Sequence, residues 1–132
     1  MAKENYKDYS KFTINGIFTG GKGQTVYKVV KLYIKQNQNI TFNQLSAVFS
    51  DSKIKRGKTI IIRKWEDEIV KKGLIGKTRR FFSTPIVLNN GQKVAVSNQW
   101  GLDKRHNGLL DNWTSFCELA TDLGFKIKKI SE

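Results

Sequence analysis

Eleven side chains between positions 53 and 80 carry positive charge: Lys53, Lys55, Arg56, Lys58, Arg63, Lys64, Lys71, Lys72, Lys77, Arg79 and Arg80. Only three acids, the run Glu66-Asp67-Glu68, oppose them. The balance is +8 in 28 residues, out of +13 for the whole chain of 132. The chemistry of such a pattern is neutralisation of a polyanion, with release of its condensed counterions as the driving force. Nucleic acid is therefore the first partner to consider, and a solvated lysine-rich surface is the plain alternative.

Other residue types bear on catalysis. Gly16-Ile17-Phe18-Thr19-Gly20-Gly21-Lys22-Gly23 comes close to the phosphate-binding loop G-x-x-x-x-G-K-[ST], with a strand-like segment before it and a helix after. It fails where magnesium needs a hydroxyl, because Gly23 stands there and Thr25 lies two residues too late. A glycine turn is the simpler reading, with a backbone contact to a nucleic-acid phosphate as a middle option. His106 is the only histidine and Cys117 the only cysteine, which excludes histidine-rich and cysteine-based metal sites and any intramolecular disulfide. Asp103 or Asp111 beside His106 would make a one-histidine site, but an exposed loop histidine explains the same residues. Glu66, Asp67 and Glu68 point in different directions on a helix, and Glu118 with Asp122, one turn apart, could make a weak cation site but reads more simply as a solvated face. Cys117 falls on an apolar helix face, as a small core residue would. Ser97 and Ser115 have no evident base. No catalytic residue, metal or cofactor is therefore expected.

The elements that must position these residues follow from periodicity. Lys11 to Ile14, then Asn15-Gly16, then Ile17 to Thr19 reads as a hairpin. A helix from about Thr25 to Gln36 follows, with Val26, Val29, Val30 and Tyr33 on one face. Thr41 and Gln44 have capping-box spacing for a short helix carrying Phe42, Leu45, Val48 and Phe49. Ile61, Trp65 and Ile69 at i, i+4 and i+8 predict a third helix over 59–72, stopped by Gly73. Arg80 to Leu88 reads as a strand, with Pro85 marking it as an edge, and Asn89-Asn90-Gly91-Gln92 turns it into a return strand from Lys93 to Ser97. Asp111 can cap a fourth helix with Trp113, Phe116, Cys117, Ala120 and Leu123 on one side. Gly124 ends it, and Phe125, Ile127 and Ile130 form a last strand. Trp65 and Trp113 read as core. Trp100 reads as core or as a base-stacking ring. Asn98 and Gln99 could read adenine edges or satisfy turn backbone.

Length and composition bound the rest. One domain is expected over 1–132, with residues 1–10 as a loose polar arm. A hydrophobic fraction of 39% allows a real core. Nothing resembles a signal peptide or a membrane span, so a cytoplasmic protein is expected, with no membrane partner. Abundant lysine, isoleucine and asparagine with scarce arginine is the composition of an AT-rich genome, bacterial or phage.

Helix, short helix, helix and hairpin over residues 24–97 resemble a winged helix-turn-helix. The expected fold is thus α+β: a winged-helix-like three-helix core with a β-hairpin, then a C-terminal helix and short strand over 98–132. The resemblance implies that the third helix enters the major groove, with Lys58, Thr59 and Arg63 toward the nucleic acid, and that Asn89 to Lys93 is the wing. Val94-Ala95-Val96-Ser97-Asn98-Gln99-Trp100-Gly101, followed by Leu123-Gly124-Phe125-Lys126-Ile127, is similar to a small bacterial domain associated with ATPases of modified-DNA restriction systems. The chain departs from that pattern at 102–107 and carries no ATPase module. That likeness implies a setting in defence against foreign DNA, not a reaction.

The resulting expectation is a non-catalytic duplex-DNA-binding protein, DNA being favoured over RNA. Lys53, Lys55, Arg56, Lys58, Arg63, Lys64, Lys77, Arg79 and Arg80 would grip phosphates. Arg63 and Thr59 would reach bases. Asn90, Gln92 and Lys93 would lie across the adjacent backbone or minor groove. The alternatives are an inhibitor or adaptor of a defence nuclease or restriction complex, of the anti-CRISPR type, and a small metal-dependent nuclease.

Overall fold

The structure is a computed structural model that describes residues 10–54, 60–66, 81–98, 100–101 and 112–131. Within them the fold is α+β. Two three-stranded antiparallel sheets are joined by three helices, in the order β1 (Lys11–Ile14), β2 (Ile17–Gly20), α1 (Lys22–Gln36), α2 (Phe42–Val48), β3 (Ile62–Lys64), β4 (Ile86–Val87), β5 (Lys93–Val96), α3 (Trp113–Asp122) and β6 (Ile127–Ser131). The first sheet has the order β2-β1-β6 and the second β3-β5-β4.

Turn chemistry fixes both hairpins. Asn15 and Gly16 both have positive φ, 51° and 86°, the pairing that a type I′ turn requires between twisted strands. Asn15 also exchanges hydrogen bonds with Lys126: its N–H donates to Lys126 O at 2.8 Å, and its Oδ1 accepts from Lys126 N–H at 2.9 Å. The first turn is thereby stitched to the start of β6, 111 residues later. The second hairpin uses a three-residue loop. Leu88 N–H donates to Gln92 O, and Gly91 sits at φ 89°, the left-handed position that closes such loops.

α1 starts three residues before the predicted Thr25 because Gly21 supplies its first turn. Gly21 N–H donates to Gln24 Oε1 at 3.1 Å, and Gly21 O accepts from Thr25 Oγ1 at 2.7 Å. α2 has the capping box that its sequence spells: Gln44 N–H donates to Thr41 Oγ1 and Thr41 N–H to Gln44 Oε1. α3 is preceded by Asn112, whose Oδ1 accepts from Gly101 N–H at 2.9 Å and so ties the 100–101 segment to the helix start. Asp111, expected as the cap, lies outside the described residues.

The third helix is corrected. Ile62–Lys64 is a strand, hydrogen-bonded to β5 in the register Ile62↔Val96, Arg63↔Ala95 and Lys64↔Val94, and helical backbone begins only at Trp65. Ile60-Ile61-Ile62 explains the switch. A run of β-branched side chains is stiff and suits a strand buried on both sides, and Ile61 and Ile62 are both fully buried. The continuous strand expected over 80–88 is also shorter. β4 holds two residues and Phe81 makes an isolated bridge to Ser97, with bends at 83–84 ahead of Pro85. Pro85 cannot donate to a ladder, and β4 is an edge strand as its proline predicts.

One cluster of buried side chains draws on both sheets and all three helices, with Phe49, Phe116 and Phe125 among its most buried members. Phe116 is its aromatic centre, 5.1 Å from the Trp100 ring, 6.4 Å from Trp113 and 6.5 Å from Phe49. Each such ring contributes about 1.5–3 kcal/mol relative to leaving it exposed. Trp113 is therefore core, and Trp100, whose Nε1 donates to Ser97 O at 2.8 Å, packs at the core's edge. A second, smaller cluster on the far face of the second sheet joins Phe81, Ala95, Ile60 and Trp65. Among the described residues no helix is long and apolar enough to cross a membrane.

Candidate nucleic-acid interface

Six of the thirteen residues expected to touch nucleic acid are described: Lys53, Arg63, Lys64, Asn90, Gln92 and Lys93. Lys55, Arg56, Lys58, Thr59, Lys77, Arg79 and Arg80 lie outside the described residues, as do His106, Asp103, Asp111 and Gln99.

The described six fall into two groups. Asn90, Gln92 and Lys93 occupy the tip of the β4–β5 hairpin, with Asn90 and Lys93 exposed and Gln92 half-buried. Asn90 Oδ1 accepts from Gln92 N–H at 2.9 Å, so this amide shapes the turn. Lys64 faces Val94 across the sheet, one residue from Lys93, which places both cations at the tip end of the second sheet. Lys64 Nζ lies 5.6 Å from the Phe42 ring centroid, a cation–π contact that holds its stem along α2.

Lys53 and Arg63 form the second group, organised by Asp51. Asp51 Oδ1 accepts from Ile61 N–H at 3.0 Å, and its Oδ2 accepts from Arg63 Nη2 at 2.5 Å. Arg63 Nη1 also donates to Ile62 O at 2.7 Å. One carboxylate thus ties the short 3-10 turn Asp51–Lys53 to β3, and Lys53 is displayed, exposed, at the end of that turn. Arg63 sits on a strand rather than at a helix N-terminus, and two of its guanidinium donors serve this internal tie. Both side chains of the pair are 36% exposed, so the charge-assisted bond contributes about 1 kcal/mol at most.

The near-match to a phosphate loop has a packing explanation. Lys22 is only 8% exposed, and its Nζ lies 5.5 Å from the Phe12 ring and 5.8 Å from the Trp113 ring. It closes the junction of β2 and α1 over aromatic faces. At Gly23 a Cβ would stand 3.2 Å from Phe82 Cζ, a tight contact that marks the close approach of α1 to residue 82. Nearby, Tyr27 OH donates to Thr84 O at 3.2 Å, and burial raises its phenol pKa above the ordinary value. Asn98 Nδ2 donates to Phe81 O, a backbone-satisfying role. Glu118 and Asp122 are exposed on α3, and among the described residues no group of three or more His, Cys, Asp or Glu could hold a metal ion.

Beside the dense charge between 53 and 80 lies a sparser signal. No acid occurs from Tyr9 to Ser50, while Lys11, Lys22, Lys28, Lys31 and Lys35 do. Lys28, Lys31 and Lys35 are all exposed, and their spacing puts them on one side of α1. Lys126 and Lys128 add exposed charge at and before β6. The acid-free run is visible in the sequence and is the mark by which the α1 lysines could have been found.

Compared with protein-family models, curated proteins and solved structures, the chain matches none.

Proposed function

We propose that this chain is a non-catalytic nucleic-acid-binding protein that grips duplex DNA through its phosphates, with the β4–β5 hairpin serving as a wing. The observation that carries this reading is the charge distribution: eleven of 24 cations fall between positions 53 and 80 against three acids. The described members of that stretch are compatible with it. Lys53 is exposed, and Lys64 and Lys93 share one end of the second sheet. The β4–β5 hairpin presents Asn90 and Lys93 to solvent, as a wing must. Because Arg63 is already engaged by Asp51, its part is electrostatic support more than base reading, and discrimination between sequences is expected to be weak. The setting that suits the C-terminal likeness is bacterial or phage defence or counter-defence.

Fluorescence anisotropy with a labelled duplex tests this. If about six phosphates are neutralised, log K falls against log salt with a slope near −5. A flat salt dependence, or no retention of duplex at low salt, overturns the reading.

A further inference from the structure

The outer face of the first sheet, opposite the core, takes no part in the proposed duplex grip. Phe12 and Ile14 of β1 point into the core, so Thr13 between them points outward. Thr13 pairs with Phe18 on one side and with Lys128 on the other, and directly paired residues of antiparallel strands share a face. Phe18, Thr13 and Lys128 therefore form an outward row across β2-β1-β6, roughly 10 Å wide. Phe18 is 59% exposed. Lys11 on β1 and Lys126 just ahead of β6 alternate onto the same side, and Ile130, skipped by a bulge between Lys129 and Ser131, is 53% exposed. None of the four described acids, Asp51, Glu66, Glu118 and Asp122, lies on these strands.

An aromatic ring standing out of a sheet is costly to leave in water, and lysines around it select the partner's charge. Hydrophobic protein surfaces would cover Phe18 but leave Lys11, Lys126 and Lys128 without complement. A single-stranded nucleic acid satisfies both: an unstacked base offers a π-face to the ring and its phosphates meet the lysines. Duplex DNA does not, because its bases are already stacked and a side chain rising from the sheet meets no free base face. The geometry points to this face as a single-stranded nucleic-acid platform, with Phe18 stacking on a base and Lys11 and Lys128 holding the flanking phosphates.

The test uses the full chain and a fluorescein-labelled oligothymidylate of about twelve nucleotides at roughly 50 and 200 mM salt. Phe18→Leu keeps the apolar bulk but removes the ring and is expected to weaken binding about five-fold or more, while Phe18→Tyr stays within about two-fold of the parent. Lys11→Ala with Lys128→Ala is expected to flatten the salt slope by about 0.7 for each phosphate no longer neutralised. Equal affinity of Phe18→Leu and the parent, with unchanged unfolding midpoints, overturns the proposal. Loss of self-association in sedimentation with unchanged oligonucleotide affinity would give the face to a second copy of the chain and overturns it as well. Phe18→Leu leaves the 53–80 stretch intact, so duplex retention is expected to persist in it. A parent that binds the oligonucleotide but not duplex would sink the duplex reading and leave this one standing.

Discussion

The two sheets share an architecture and differ in what lies on the face turned away from the core. In the second sheet that face is covered: Ala95 is fully buried, Phe81 is 5% exposed, and Ile60 and Trp65 pack against them. Arg63, paired with Ala95 on that face, is drawn down to Asp51, while Lys93 on the same face stands exposed at the tip end. In the first sheet the corresponding face carries Phe18, 59% exposed, and lysines that reach solvent. Two three-stranded antiparallel sheets in one molecule thus divide their work. One is covered on its far face around Ala95 and opens only toward the hairpin tip, where Val87 is 55% exposed and paired with Lys93; the other is open on one side and presents a broad surface. An antiparallel sheet tolerates either state, so the difference lies in side chains rather than in backbone.

The largest test of this contrast is a pair of identical substitutions. Phe81→Ala is expected to lower unfolding free energy by about 3 kcal/mol, because it empties a covered face. Phe18→Ala is expected to cost about 0.5 kcal/mol or less. Urea titration of both variants checks it, and similar losses would mean that Phe18 is not a surface residue.

A smaller effect concerns the tie that closes the second sheet. Asp51→Ala strips the Ile61 N–H and the Arg63 guanidinium of a shared acceptor and is expected to cost about 1–2 kcal/mol. Asp51→Asn keeps an acceptor for Ile61 and is expected to recover part of that loss. A midpoint of Asp51→Ala equal to the parent's would show that the carboxylate has no such bridging role.

The smallest is a pH effect where α1 meets residue 84. The folded state holds the Tyr27 phenol protonated beyond its ordinary pKa of 10.0. In that window the native state binds more protons than the unfolded chain, so this contribution is present below pH 10 and fades as pH rises through the folded value. Thermal melts between about pH 9 and 11 are expected to slope less steeply for Tyr27→Phe than for the parent.

Local chemistry makes much of the fold legible. The Asn15-Gly16 and Asn89-Asn90-Gly91 turns, the Thr41–Gln44 box, the apolar face of α1 and the stop at Gly124 each act within a few residues. Where long-range pairing decides the outcome, the sequence misleads. Ile61, Trp65 and Ile69 fit a helix face, but Ile62 finds Val96 as a strand partner 34 positions later, and a short β-branched run fits either state until its partner is known. The Asp51–Arg63 tie spans twelve residues and leaves no periodic trace. Phe18 carries no signal of its own because Ile17-Phe18-Thr19 shows no alternation, and a bulge opposite Phe12–Thr13 shifts its register. The hairpin tip is readable from its turn alone, whereas the lysines of α1 emerge only when the acid-free stretch is counted.

The central claim is that the cations between 53 and 80 neutralise nucleic-acid phosphate. The most direct measurement compares salt slopes for duplex binding between the parent and a variant with Lys55, Arg56, Lys58, Lys77, Arg79 and Arg80 changed to glutamine. The expected result is a slope near −5 for the parent that collapses toward zero in the variant, by about 0.9 for each phosphate left unneutralised. A variant that keeps the parent's slope and affinity would contradict the account.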